Sequence, residues 1–197
     1  MIACILIVSE KRIPLVREKV LPSVLRQRFD EVIWVGDGEP GDDYRFLSVP
    51  PLSRTTNDAL VKRDVGTLAS QADVLIYLSD DHALEEHFGE ILRHWCSPEK
   101  LDTWDILAPS RYCKWNGKRI QLNSGWTDWG QGTPPYIGGH GGVYKRYVVT
   151  RCPWAARPHD LLWDLIITQQ QKAEGDRIVY VPELAIQDME PEHSPWL

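Results

Sequence analysis

Cysteine is scarce in this chain, and its spacing forms no motif. Cys4, Cys96, Cys113 and Cys152 make no Cys-x-x-Cys pair and no zinc-site spacing. A redox dithiol and a structural zinc cluster are therefore excluded, and free thiols in a reducing compartment are the expectation. A strongly basic stretch is missing as well. Lys and Arg number 22 against 28 Asp and Glu, for a net charge of -6, so the phosphate-neutralising patch of a nucleic-acid binder is absent. Long apolar runs are lacking too. The opening "MIACILIVSEKRIPLV" holds one far shorter than the ~20 residues of a membrane span. It also lacks the basic flank and small-residue cleavage site of a secretory signal. The expectation is a cytoplasmic protein with no membrane segment and no nucleic-acid partner. There is no internal repeat and no linker, and 197 residues suit a single domain. Tryptophan, by contrast, is plentiful: 9 residues, seven of them between Trp95 and Trp163. Indole rings serve equally as core filler and as flat platforms for a sugar ring or base.

The first hundred residues alternate in hydrophobic period. "IACILIV", apolar throughout and rich in β-branched side chains, predicts a strand buried on both faces. Val16, Val20 and Val24 recur at helical spacing from Pro14 to Arg28, with Pro22 inside as an expected kink or break. "EVIWVGDG" predicts a second strand ending in Gly-Asp-Gly turn chemistry, followed by a loop-rich stretch to Arg54. A helix from about Thr56 to Ala72 carries Val61, Val65, Leu68 and Ala72 as its apolar stripe, with Thr55, Thr56 or Asn57 as its cap. "DVLIYL" is a third strand, and "ALEEHFGEILRHW" a third helix with Leu84, Phe88, Leu92 and Trp95 inward. Such a β-α-β-α-β-α series implies a parallel, doubly wound sheet.

Past residue 100 the rhythm changes. "WDILAPSRY" and "KRIQLN" predict short strands. "SGWTDWGQGTPPYIGGHGG" is a long stretch rich in Gly and Pro, whose three aromatics favour an ordered binding loop. "GGVYKRYVV" predicts a strand-to-helix junction, "RPHDLLWDLIITQQQKAEG" a helix with Pro158 in its first turn and Gly175 past its end, and "DRIVYVPELAIQD" two short strands.

The chemistry gathers where strands stop. Ser79, Asp80, Asp81 and His82 lie just past the third strand, at the end of an open α/β sheet where ligands bind. Two adjacent carboxylates repel each other unless a positive partner sits there. Their hard oxygens suit Mg²⁺ or Mn²⁺, although either aspartate could instead cap the next helix. Asp37, between Gly36 and Gly38 at the second strand's end, is either a turn residue or an acceptor for a base N–H or ribose hydroxyl. Arg12, Arg54 and Arg63 are candidate diphosphate contacts, since the guanidinium fork matches phosphate oxygens. Gly138 to Gly142 surround His140, where backbone can approach a ligand closely. Asp160, after His159 at the start of the long helix, is either a first-turn acid favoured by the helix dipole or a general base.

In their order these features resemble the GT-A glycosyltransferases, which act on nucleotide sugars. "KRDVGTLASQADVLIYLSDDHAL" is similar to the family's helix, strand and Asp-x-Asp motif, with Ser79 at its first position and Asp80 and Asp81 following. "EVIWVGDG" resembles the strand whose terminal acid reads the base, reduced here to Asp37. "IGGHGGVYKRYVV" and the segment from His159 resemble the Gly-rich acceptor side and the catalytic helix, with Asp160 on the base. The resemblance implies a Rossmann-like, mostly parallel doubly wound α/β sheet with a smaller mixed β/loop region. It forms one domain over 1–197, divided into a nucleotide-binding subregion (1–100) and an acceptor-side subregion (101–197). It further implies a nucleotide-sugar donor, UDP-sugar favoured, with an unknown acceptor and transfer with inversion through Asp160. Mn²⁺ or Mg²⁺ would be held by Asp81, with Asp80 or with Asp188 or His193. Nucleotide contacts would come from Val8, Ser9, Arg12, Asp37, Arg63 and Asp80, and acceptor or sugar contacts from Trp126, Trp129, Gly139 and His140. Two rivals stay open: a sugar nucleotidyltransferase, and a non-catalytic nucleotide- or sugar-binding protein of the same fold. The chain is short for this family, which is compatible with a partner chain or a homo-oligomer.

Overall fold

Seven consecutive buried apolar residues, Ile2–Val8, form β1 near the middle of the sheet. The computed structural model describes residues 1–50, 58–115, 118–124, 126–127, 136–137, 142–156 and 170–189. β1 lies between β2 (Glu31–Gly36) and β4 (Val74–Ser79), parallel to both. A short edge strand, β3 (Arg45–Ser48), joins β2 in parallel where the sequence predicts only loop. Beyond β4 come β10 (Val143–Lys145), β6 (Ile106–Trp115), β11 (Ile178–Asp188) and β5 (His82–Leu84). β10 runs antiparallel to β4 and β6, β6 pairs β11 in parallel, and β5 closes the far edge antiparallel to β11. The β6 strand also carries β7 (Lys118–Ser124), and β8 (Trp126–Thr127) pairs β9 (Tyr136–Ile137). The fold is thus α/β, with a parallel half and a mixed half.

Both faces of β1 are covered, which is why its sequence does not alternate. Cys4, Leu6 and Val8 face a cluster with Val16, Val20, Val24 and Trp34. Ala3, Ile5 and Ile7 face Leu60, Tyr77, Val148 and Trp154. Pro22 does not break the first helical segment. A 3-10 turn at Glu10–Arg12, α1 (Ile13–Leu15) and a single π-turn at Val16–Val20 lead into α2 (Leu21–Leu25), with Pro22 in its first turn. Proline lacks the N–H that an α-helix interior needs, and the wider π-turn absorbs the mismatch just before it.

Three sequence expectations change in detail. α3 (Asp58–Ala69) buries Leu60, Lys62, Arg63, Gly66 and Thr67, while Leu68 of the expected stripe is 76% exposed. The third helix starts late: His82–Leu84 is β5, and α4 (Phe88–Trp95) begins only after a turn, so neither Asp80 nor Asp81 caps it. "IVYVPELAIQD" is one strand with a register shift between Val181 and Ala185, around Pro182, because proline cannot donate to a ladder. Short helices α5 (Pro98–Leu101) and α6 (Arg146–Arg151) complete the elements used below. No disulfide joins the four cysteines. Among the described residues no helix is long and apolar enough to cross a membrane.

Candidate functional site at the strand ends

The carboxyl ends of β1, β2 and β4 lie side by side, and the chain leaving β1 is strapped between the acids that follow its neighbours. On one side the Ser9 backbone N–H and Oγ both donate to Asp80 Oδ2, at 2.8 and 2.5 Å. On the other side the Glu10 N–H donates to Asp37 Oδ2 at 3.1 Å. Arg12 Nη1 then reaches back to Asp81 Oδ2 at 2.5 Å and Asp80 Oδ1 at 3.5 Å. Val8, Ser9, Arg12, Asp37, Asp80 and Asp81, all singled out in the sequence, therefore meet at one place. Asp37 is further fixed by its backbone: its N–H donates to the Val8 carbonyl and its carbonyl accepts from Trp34 Nε1.

From Asp81 a polar chain runs inward. His82, 2% exposed, places Nδ1 at 2.5 Å from Asp81 Oδ1 and Nε2 at 2.8 Å from Arg111 Nη2. Guanidinium nitrogens only donate, so Nε2 accepts and the ring proton sits on Nδ1, donated to Asp81. The same Arg111 nitrogen lies 3.7 Å from Asp188 Oδ2. β5 brings these groups together, because Asp188 pairs with His82 in its ladder and the Met189 N–H bonds the Asp81 carbonyl.

Lys62 was not among the residues singled out from the sequence. Its ammonium, on a side chain 5% exposed, lies 3.0 Å from the Val8 carbonyl, 3.1 Å from Asp58 Oδ2 and 3.6 Å from Asp37 Oδ2. Arg111 and His82 complete the set that sequence reasoning passed over or left without a role. Arg111 could have been noticed as a charge within the β6 strand, opposite Ile186, whereas Lys62 faces the sheet from α3, a helix that also carries Asp58, Arg63 and Asp64, so its charge gave no signal.

Arg63 is not brought to this group. It is 2% exposed, with its guanidinium carbon 5.0 Å from the Trp154 ring centre and 5.9 Å from that of Tyr77. Next to it, Asp64 accepts the Trp154 and Ala155 N–H groups at 2.8 Å each, tying that turn to α3. Burial pushes the Tyr77 hydroxyl up to about 12. Of the acceptor-side residues, Trp126 is placed by its backbone in β8. Trp129, Gly139, His140, Asp160 and His193 lie outside the described residues, as does Arg54.

The expected cation seat is not formed as these side chains stand. Among the described residues no three His, Cys, Asp or Glu groups converge as metal ligands. Both oxygens of Asp81 are engaged, Oδ1 by His82 and Oδ2 by Arg12. The positive partner that the adjacent carboxylates require is Arg12 itself. The donor chemistry suits Mn²⁺ or Mg²⁺, but the arrangement does not fit an ion while Arg12 stays in place.

No protein-family model matches this chain, and a search of curated proteins finds no match. Solved structures do match. Residues 1–349 of S. aureus TarS superpose with a TM-score of 0.64 at 14% identity, covering 97% of this chain and 61% of that one. The same protein in complex with UDP-GlcNAc gives 0.64 at 12% identity, over 95% and 58%. The mannosyltransferase PcManGT from Pyrobaculum calidifontis, in complex with GDP-Man and Mn²⁺, gives 0.63 at 17%, over 98% and 58%. The chain thus has the Rossmann-like, GT-A-like α/β fold of glycosyltransferases. It spans about three-fifths of the length of these structures.

Proposed function

We propose that the chain is a glycosyltransferase module that takes a nucleotide-sugar donor, a UDP-sugar in preference. The observation that carries this reading is the strapped segment Ser9–Arg12, with Asp37 at one end and Asp80 and Asp81 at the other. That arrangement offers a carboxylate acceptor for a nucleobase at one end of a crevice and a guanidinium for a diphosphate at the other. The fold shared with TarS and with PcManGT, solved with UDP-GlcNAc and GDP-Man respectively, supports the donor class.

In this reading Asp37 takes a base N–H, and Arg12 exchanges part of its contact with Asp81 for the diphosphate oxygens. Asp160 accepts the proton of an acceptor hydroxyl as its oxygen attacks the anomeric carbon. The bond from that carbon to the diphosphate oxygen breaks, and the configuration inverts. Trp126 and Trp129, with Gly139 and His140, form the sugar and acceptor side.

A thermal-shift screen of UDP, GDP and CDP, each with and without Mn²⁺, tests the donor assignment. The expected result is stabilisation by UDP above the others; no shift with any nucleotide refutes it. Hydrolysis of the matching nucleotide sugar by the wild type and by Asp160→Asn then separates a transferase from a binding protein of the same fold. Loss of turnover with retained nucleotide affinity supports Asp160 as the base, and normal turnover makes it a helix-start acid.

A further inference from the structure

Lys62 is buried in a slot shaped around it. Three oxygens surround its ammonium: the Val8 carbonyl, Asp58 Oδ2 and Asp37 Oδ2. The fourth wall is Gly36, at φ +126°, where a Cβ would press on Lys62 Cε and Nζ at 3.1 Å and overlap the Val8 carbonyl oxygen. Only glycine tolerates that backbone angle and that proximity together. The Val8 carbonyl and Asp58 lie at 3.0 and 3.1 Å, within hydrogen-bond reach, while Asp37 Oδ2 at 3.6 Å is held as an ion pair. Lys62 therefore acts through Asp37 rather than on a ligand.

What it does to Asp37 follows from the contacts. Asp37 stands just past the carboxyl end of β2 with its side chain 36% exposed, the exposure of a group that would otherwise turn freely. The Glu10 N–H donates to Oδ2 and the Lys62 ammonium stands 3.6 Å from the same oxygen, which restrains the carboxylate and leaves Oδ1 as the acceptor a ligand would meet.

We propose that Lys62 is the positioning residue for nucleobase selection. By holding Asp37 as an oriented acceptor, it selects nucleoside diphosphates whose base presents a ring N–H beside a carbonyl, as uracil and guanine do. Cytosine and adenine present a bare ring nitrogen at that edge, and two facing acceptors repel. The inference rests on the nucleotide-sugar reading and deepens it.

The test measures dissociation constants of UDP, GDP, CDP and ADP by calorimetry, with a thermal melt confirming that each variant is folded. Wild type is expected to prefer UDP or GDP over CDP by about tenfold or more, the worth of a hydrogen bond to a charged group; the UDP and GDP arms say which base is native. Lys62→Met brings that ratio close to one, and Lys62→Gln, which keeps the apolar stem and a donor, provides a second folded variant. Asp37→Asn also flattens the ratio, because its amide can donate to cytosine, and adding Lys62→Met to it changes the ratio no further. A purely structural lysine would weaken all four nucleotides equally and leave the ratio intact. A preserved ratio in both Lys62 variants, or equal wild-type affinity for all four, overturns the inference and leaves nucleotide binding standing. Absence of any nucleotide binding to folded wild type overturns both.

Discussion

Gly66→Ala sets two effects of known size against each other. Gly66 is inside α3, and replacing a mid-helix glycine by alanine favours the helix by about 1 kcal/mol. The structure opposes that gain. A Cβ at Gly66 would overlap Ile5 Cγ2 and lie 3.3 Å from Ile5 Cδ1 and Val35 Cγ2. Ile5 is completely buried in β1, between β2 and β4, and has no space to yield. Overpacking in such a site costs about 1–3 kcal/mol. The overlap with Ile5 Cγ2 places the cost at the upper end of that range, so the expected net result is a loss of about 2 kcal/mol, read as a lower urea midpoint with unchanged slope. Ile5→Ala removes the obstructing methyl at its own cost of about 2–5 kcal/mol. The double variant should then lose less than the sum of the two singles, with a coupling of roughly 0.5–3 kcal/mol. Lys62 is one turn earlier on the same helix, so nucleotide stabilisation should weaken in Gly66→Ala and recover in the double variant. An alanine variant as stable as wild type, or strict additivity, refutes the close seating of α3 on β1.

The remaining predictions concern charge. Arg12→Gln releases Asp81 Oδ2, and Mn²⁺ alone, titrated by calorimetry, should bind at least about tenfold more tightly than to wild type. The full repulsion between a guanidinium and a divalent ion ~4 Å apart is about 8 kcal/mol at an effective dielectric near 20, of which this partly exposed setting keeps only part; equal or weaker affinity refutes Arg12 as the occupant of the cation's place. Asp105, 3% exposed, accepts the Arg177 N–H, Nε and Nη2 at 2.8 Å each and the Tyr147 hydroxyl at 2.5 Å. The Arg177 bonds hold its carboxyl well below the usual range. Below an ordinary carboxylate pKa of about 3.9 the unfolded chain binds a proton here that the folded chain refuses. That stabilisation is complete above this pH and is lost as pH falls towards the folded value. Asp105→Asn should therefore be less stable at neutral pH and show a shallower acid limb in melts from pH 5 down to 2; parallel limbs refute the assignment.

The parallel half of the sheet was legible because burial on both faces writes itself as unbroken apolar runs, as in Ile2–Val8 and Val74–Leu78. The strand-end position of Asp37, Asp80 and Asp81 followed directly. The register of α3 did not. Val61, Val65 and Leu68 make the more apolar stripe, yet the helix turns Lys62, Arg63 and Thr67 to the sheet. Each has a reason that no hydropathy pattern contains: Lys62 has the Val8 carbonyl, Arg63 has the Trp154 and Tyr77 rings, and Thr67 Oγ1 is 2.7 Å from the Tyr77 hydroxyl. β5 was missed for a different reason. A three-residue strand is specified by its partner, and Ile186–Asp188 is about a hundred residues away. Without that pairing neither the His82–Arg111 contact nor the position of Asp188 can be anticipated.

The two adjacent aspartates divide their work. Asp80 is committed to the chain that leaves β1, through the Ser9 N–H and hydroxyl, and so fixes the wall of the crevice. Asp81 faces two ways. Towards the interior it bonds a 2%-exposed histidine that is itself held by Arg111, and breaking into that chain would strand buried polar groups at a cost of about 1–3 kcal/mol each. Towards solvent it meets Arg12, with side chains 26% and 24% exposed, and ion pairs with access to water contribute little, about 0–1 kcal/mol. The inner contact is therefore rigid and the outer one exchangeable. On the proposed reading, a ligand diphosphate would compete with Asp81 for Arg12 at small cost, and a cation would compete with Arg12 for Asp81. The same pair of carboxylates that looks unstable in the sequence is what makes this one guanidinium movable without unmaking the strand end beneath it.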